Sequence, residues 1–211
     1  MQIQTGLCIL VRDCKIYDIA KDTADLDGYK IIDLQGHYIL PGLINMHVHL
    51  AGSGKPQKKQ RNNEKLVNTI MGSALTRAIA YNMVAGFAKD ELLSGVTTIR
   101  TVGGLGNFDT RLRDEIEAGT KTGPRILAAN RGISVPGGHM AGSVAIAAAN
   151  IDEALAHLNK CEKEKVDIIK LMITGGVLDA KEKGTPGELK MSPDMVRAVC
   201  DKAHADGYMV S

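Results

Sequence analysis

The chain has 211 residues, of which 44% are apolar and 24% charged, with 26 basic and 24 acidic side chains and a net charge of +2. That apolar share is too high for a disordered segment, and so balanced a charge argues against a nucleic-acid binder, which carries a clustered basic face. No apolar run approaches the ~20 residues that span a bilayer, and the start lacks a basic, then apolar, secretory leader, so a cytoplasmic protein with no membrane partner is expected.

The core must be built without Trp and with only two Phe, so Ile, Leu, Val, Ala and Met fill it, as in layered α/β folds. The four cysteines (Cys8, Cys14, Cys161, Cys200) have no C-x-x-C spacing and read as reduced structural thiols. The one basic stretch, 55–61, reads as a solvated loop.

In chain order, residues 1–40 read as a small β segment. The β-rich runs are 7–11, 30–34 and 37–40, with a polar stretch at 18–28 and a turn at Gln35-Gly36. From Pro41 the pattern becomes alternating strand and helix. A strand is predicted over 42–50, then a polar loop, then a long helix over 64–94 with breaks possible at Gly72 or Gly86 and a stop at Gly95. Strands follow at 96–100 and 125–129, with a helix at 110–118 between them and a Gly-rich loop to Gly142 after them. Asn150 with Glu153 makes a capping box for the next helix. The apolar run 166–173 is the next strand. Ser192-Pro193 caps a helix that runs to His204 and stops at Gly207, and 208–211 starts another strand. Such repetition implies parallel pairing with both sheet faces covered. An open doubly wound sheet and a (β/α)8 barrel both satisfy it.

Three features can carry chemistry. His47-Val48-His49 puts two imidazoles on one face at a strand's C-terminal end, where they can chelate one metal ion. Lys170 lies inside the run Asp167-Ile168-Ile169-Lys170-Leu171-Met172-Ile173. Charged and unpaired there, it would cost several kcal/mol. It therefore pairs with a carboxylate, loses its proton or is modified, unless its ammonium reaches water at the strand mouth. A neutral amine can add CO2 and become an anionic oxygen ligand. His139, in Pro136-Gly137-Gly138-His139, sits in a loop after a strand, where α/β sites lie. Its alternative is a solvated loop histidine. His37, His157 and His204 read as structural or surface residues. Gly103-Gly104-Leu105-Gly106 does not match G-x-G-x-x-G, so a nucleotide fold is disfavoured.

Taken together, four motifs carry a resemblance. Ile39-Leu40-Pro41-Gly42-Leu43-Ile44-Asn45-Met46-His47-Val48-His49-Leu50 resembles the first barrel strand of the metal-dependent amidohydrolase superfamily. Ser94-Gly95-Val96-Thr97-Thr98-Ile99-Arg100 resembles its second strand. Gly137-Gly138-His139 and Ile169-Lys170-Leu171-Met172-Ile173-Thr174-Gly175-Gly176 resemble its imidazolonepropionase-like and prolidase-like branch. The resemblance implies a (β/α)8 TIM barrel, of which residues 41–211 would be about the first half, with residues 1–40 part of a composite β domain. It implies one or two divalent metals, most often zinc, held by His47, His49 and a Lys170 carbamylated by CO2, with Lys170 also the catalytic position. His139 would contact the substrate's carboxylate or carbonyl. Separately from the resemblance, a dipeptide substrate calls for a cationic or His-rich clamp on its free carboxylate, and His139 with Arg131 is the candidate clamp.

The implied reaction is hydrolysis of an amide in a small peptide-like substrate, dipeptidase- or prolidase-like, by metal-activated water. The alternatives are a cyclic-amide hydrolase or deaminase of the same superfamily, and a non-catalytic half-barrel that needs a partner. Further ligands and the general base of this superfamily come from later strands. The chain therefore reads as the N-terminal portion of a longer enzyme, expected as a homo-oligomer.

Overall fold

The computed structural model describes residues 3–22, 24–54, 62–176 and 187–211. The basic stretch at 55–61 lies outside them. The chain forms two compact units, Met1–Leu40 and Pro41–Ser211.

The first unit holds one antiparallel hairpin of β1 (Leu7–Arg12) and β2 (Lys15–Lys21). Its turn residues Asp13 and Cys14 both have positive φ (51° and 58°). That is the backbone a two-residue hairpin loop needs to match strand twist, here without the usual Asn-Gly. The strands predicted at 30–34 and 37–40 are not strands. Neither has a ladder partner among the described residues, and apolar content alone does not make a strand without one. The predicted turn between them is present: Gln35 and Gly36 take positive φ, and His37 N–H donates to Leu34 O at 2.9 Å.

The second unit alternates strand and helix. β3 (Leu43–Val48) is followed by α1 (Asn63–Met71) and α2 (Ala74–Leu93), then β4 (Val96–Thr101), α3 (Phe108–Glu117) and β5 (Arg125–Leu127). Two short strands, β6 (Gly132–Ser134) and β7 (Ala145–Ala147), bracket the Gly-rich loop. They are absent from the sequence reading, since three-residue strands lie below the reach of a period-two pattern. α4 (Ile151–Lys163), β8 (Ile168–Ile169), α5 (Pro193–Ala205) and β9 (Met209–Val210) complete the unit. β3-β4-β5 form one parallel sheet, and β6-β7 and β8-β9 are parallel pairs.

Backbone bonds join these pieces into one arc. Asp167 N–H donates to Ala128 O, Ile133 N–H to Lys170 O, and Leu171 N–H to Ser211 O, at 2.8 to 2.9 Å. The apolar run 166–173 therefore bonds as a strand along more of its length than its two-residue ladder suggests, staggered between two neighbours. The result is an α/β fold, a partial TIM barrel with helices on its outer face.

Local signals set the helix ends. The long predicted helix breaks at Gly72, and Ser73 restarts it by accepting Thr76 N–H at 3.2 Å. Gly86 leaves α2 intact. Gly95, at φ 95°, ends the segment. Asn150 Oδ1 accepts Glu153 N–H at 2.9 Å, while Glu153 Oε2 reaches back to Ala149 N–H. Ser192 caps α5, with Pro193 at its first position.

The core lies between strands and helices in two clusters. One packs Val48, Leu50 and Ile99 against Val84, Ala88 and Leu112; the other packs Ile169 against Leu158, Val199 and Ala203. Fully burying each Leu or Ile contributes roughly 1.5–3 kcal/mol. All four cysteines are unpaired, and burial pushes the Cys161 thiol up to about 12, so it stays protonated.

Buried polar groups staple the layers. Arg113 of α3 donates to Asp167 Oδ2 at 2.7 Å and to Lys165 O at 2.9 Å, and the same Asp167 oxygen accepts Ala128 N–H. Asn107, at the start of α3, makes no side-chain cap bond. Asn130, fully buried with φ 54°, supplies the cap instead. Its Oδ1 accepts Thr110 N–H at 3.1 Å, and its Nδ2 donates to Thr110 Oγ1 and Glu164 Oε2. Asp109 is buried beside Thr101, and burial pushes its carboxyl up to about 6 against a hydrogen bond from the Thr101 hydroxyl.

Two outcomes follow. Asn130→Ala, which leaves the cap and a positive-φ backbone unsupported, should destabilise the chain by about 2–4 kcal/mol in urea unfolding. The raised Asp109 carboxyl holds its proton more tightly folded than unfolded. Its contribution is therefore favourable below pH ~4 and is lost as pH rises through about 6. The stability of the parent chain relative to Asp109→Asn should fall by up to about 3 kcal/mol between pH 4 and pH 8. A pH-independent difference would contradict this.

Candidate functional site

Alternation along β3 decides what the site receives. Val48 and Leu50 face the helices and are buried, so His47 and His49 face the other way. Their Nε2 atoms lie 3.3 Å apart, with ring centroids at 5.2 Å and planes at 69°. His49 Nδ1 is 3.0 Å from Gly103 O. A carbonyl only accepts, so Nδ1 carries the proton, and the lone pair of His49 Nε2 points at His47. Two nitrogens each 2.0–2.1 Å from one tetrahedral zinc sit about 3.3–3.4 Å apart. The observed spacing fits that geometry, and the outer bond from His49 to a backbone carbonyl is the usual support for a metal-binding imidazole.

Lys170 is half-buried. Its neighbours Ile169 and Leu171 pack outward in the core, and its stem runs over Gly132, where a Cβ would lie 3.1 Å from Lys170 Cγ. The charge of Lys170 acts on both imidazoles, so the three lie within electrostatic reach of one another. Burial, then Lys170, His49, Arg100 and His139, lowers the His47 pKa. Burial also lowers His49, opposed by the Gly103 bond and reinforced by Lys170 and His139. Lys170 itself is lowered by burial and then by Arg100. Each shift favours the neutral form, which for imidazole is the form that binds metal. Among the described residues no third His, Cys, Asp or Glu completes a metal-binding group with the pair.

His139 lies in the loop between β6 and β7, where Gly137, Met140 and Gly142 have positive φ. Its backbone N–H donates to Thr174 O at 3.4 Å, and its charge is felt by both His47 and His49. Arg131 is not brought to this group. Gly132 faces Lys170, so Arg131 points to the opposite side, toward α4. There its guanidinium donates to Ala145 O at 3.1 Å, Glu164 is its electrostatic partner, and its backbone carbonyl bonds His157.

Two residues of the site escaped the sequence reading. Arg100 donates from Nε to Met46 O at 2.8 Å, and its charge acts on His47 and Lys170. A cation inside the β-branched strand 96–101 was its signal, the same logic that singled out Lys170. Gly103 contributes its carbonyl, which no side-chain motif encodes.

Comparison with known proteins adds the family. Residues 38–211 match the sequence profile of the amidohydrolase family. An adenine deaminase of Lactobacillus delbrueckii subsp. bulgaricus is 40% identical over 45 residues, which is 21% of this chain and 8% of that protein. A dihydroorotase of Trichlorobacter lovleyi is 39% identical over 57 residues, 27% of this chain and 13% of that protein. The structure of a Xaa-Pro dipeptidase with methionine bound in its active site superposes with a TM-score of 0.69 at 30% identity, covering 92% of this chain and 48% of that one. The chain thus spans about half the length of that solved relative, and its matches to the two curated relatives are shorter still. Members of the matched family are generally dependent on divalent metal. With its profile matched over residues 38–211, the chain belongs to the amidohydrolase family.

Proposed function

We propose that this chain forms part of a metal-dependent hydrolase that cleaves the amide bond of a small, dipeptide-like substrate. The observation that carries the reading is the 3.3 Å pairing of His47 and His49 Nε2 atoms, with His49 fixed from behind by Gly103 O. His47, His49 and a carbamylated Lys170 would hold one or two divalent ions, zinc being the best match to imidazole nitrogen and anionic oxygen donors. When bound, the ion supplies an acidified water and polarises the scissile carbonyl.

The chain's own residues do the rest. Among the described residues, Arg100 is the charged group that acts on Lys170, and no carboxylate does so. In its neutral form the amine nitrogen attacks CO2, a C–N bond forms and one N–H proton leaves to solvent. The product carboxylate exchanges repulsion by Arg100 for attraction. His139, whose charge reaches both imidazoles, would contact the substrate's carboxylate or carbonyl. Arg131 is not part of the proposed clamp, because its guanidinium is engaged toward α4. The preference for a dipeptide rests on likeness to the Xaa-Pro dipeptidase. A second reading, opening of a cyclic amide or deamination of a heterocycle, is favoured by the adenine deaminase and dihydroorotase matches. Parallel assays with an Xaa-Pro dipeptide, dihydroorotate and adenine separate the two.

Titration with Co2+ or Zn2+ should show stoichiometric binding. His47→Ala and His49→Ala should each weaken it by more than about 100-fold, beyond the 10–100-fold of an outer-shell loss. Unchanged affinity in both variants would remove the metal site. Zinc-loaded protein supplied with 13C-bicarbonate should give a carbamate carbon resonance that Lys170→Ala abolishes. The same spectrum from both proteins would remove the modified lysine.

A further inference from the structure

The turn at 103–104 is filled from both sides. At Gly103 (φ 139°) the Met172 methyl and the His49 ring together occupy the space of a side chain, since a Cβ there would lie 3.0 Å from Met172 Cε and 3.2 Å from His49 Cε1 and Nδ1. At Gly104 a carboxyl occupies it: a Cβ would lie 2.5 Å from Asp109 Oδ2 and 2.8 Å from Cγ. The turn is thus held between an imidazole and the carboxyl of Asp109. Asp109 is 1% exposed, is anchored by the hydroxyl of the fully buried Thr101, and its Oδ2 has no hydrogen-bond partner among the described residues. Thr101 in turn accepts Ala129 N–H at 3.3 Å, and Val102 N–H donates to Val48 O at 3.0 Å, so both ends of this arrangement are tied to strands.

A buried carboxylate oxygen without a partner is costly, and its retention calls for a role. The oxygen is buried and lies where a side chain at Gly104 would go. What it contacts is the turn whose other side presents the Gly103 carbonyl to His49 Nδ1–H, 3.0 Å away.

We propose that Thr101 and Asp109 are positioning residues that fix the tautomer and orientation of His49 by wedging the 103–104 turn against its ring. The wedge acts by shape: with the carboxyl in place, the turn cannot sink away from the imidazole, the Gly103 carbonyl stays within hydrogen-bond reach, and His49 Nε2 remains the unprotonated nitrogen facing His47. The inference extends the reading of His49 as a metal ligand, but the tautomer it concerns exists without metal.

The experiment uses two readouts at a temperature well below each variant's melting midpoint. The first is the 15N spectrum of the imidazoles in metal-free chain. Wild type should show His49 as the Nδ1–H tautomer. Asp109→Ala and Thr101→Val should show it mixed with the Nε2–H form, whereas the isosteric Asp109→Asn should keep it fixed. The second is Zn2+ affinity, expected to fall 10–100-fold in Asp109→Ala and to stay within a few-fold of wild type in Asp109→Asn. A lowered melting point with an unchanged tautomer and unchanged affinity would reduce the pair to a structural role and overturn the proposal. So would equal loss in Asp109→Asn and Asp109→Ala, which would show that charge and not shape acts. If the tautomer shifts as expected while wild type binds no zinc, the positioning stands and the metal reading fails. If zinc binds all variants alike, the metal reading stands and the positioning fails.

Discussion

Side-chain alternation at the C-terminal end of β3, where the outer face is covered, is the constraint from which the site follows. In β3 the pull of Val48 and Leu50 into the helix-facing core leaves His47 and His49 no choice of side. The same rule acts on 169–171, where Ile169 and Leu171 go outward and Lys170 inward, and at 131–132, where Arg131 leaves the site because Gly132 faces it. The apolar positions thus decide which polar residues meet. A register slip of one residue in β3 would bury both imidazoles among leucines and turn Val48 to the site.

Electrostatics and burial then bias these groups toward their neutral forms. The group formed by Lys170, Arg100 and the histidines has one sign of charge and partial burial, and both depress proton affinity. Neutral imidazoles and a neutral amine are what a divalent cation and CO2, respectively, require. Proton affinities lowered together in one group of side chains are a marker of function.

Much of this was legible in residues 41–211. The H-x-H pair, the lysine inside an apolar run and the capping signals Asn150 and Ser192-Pro193 all depend on local rules of spacing and hydrogen bonding. What escaped depends on partners distant in sequence or on backbone atoms. The Gly103 carbonyl has no side-chain signature. Arg100 stood in plain view, but its neighbourhood with Lys170 spans 70 positions. The segments 30–34 and 37–40 misled because their apolar content promised strands, and pairing within the described chain does not provide them. The hairpin β1-β2 was missed because Asp13-Cys14 is an unusual pair for two consecutive positive-φ positions. Arg131 was paired with His139 as a cation for a substrate carboxylate, and one peptide unit of alternation turns its guanidinium toward Ala145 O and α4.

The start of α3 is held by a residue that arrives much later in the chain. The Asn107 side chain makes no cap bond, and the amide of Thr110 is met by Asn130, beyond β5. Helix α3 is therefore not an autonomous building block. Phe108 N–H finds Leu105 O locally, but the Thr110 amide acquires its partner only when the segment after β5 has docked, which couples the boundary of one βα unit to the completion of the next. Excised as a peptide, the segment would fray from that end, although its sequence is unaltered.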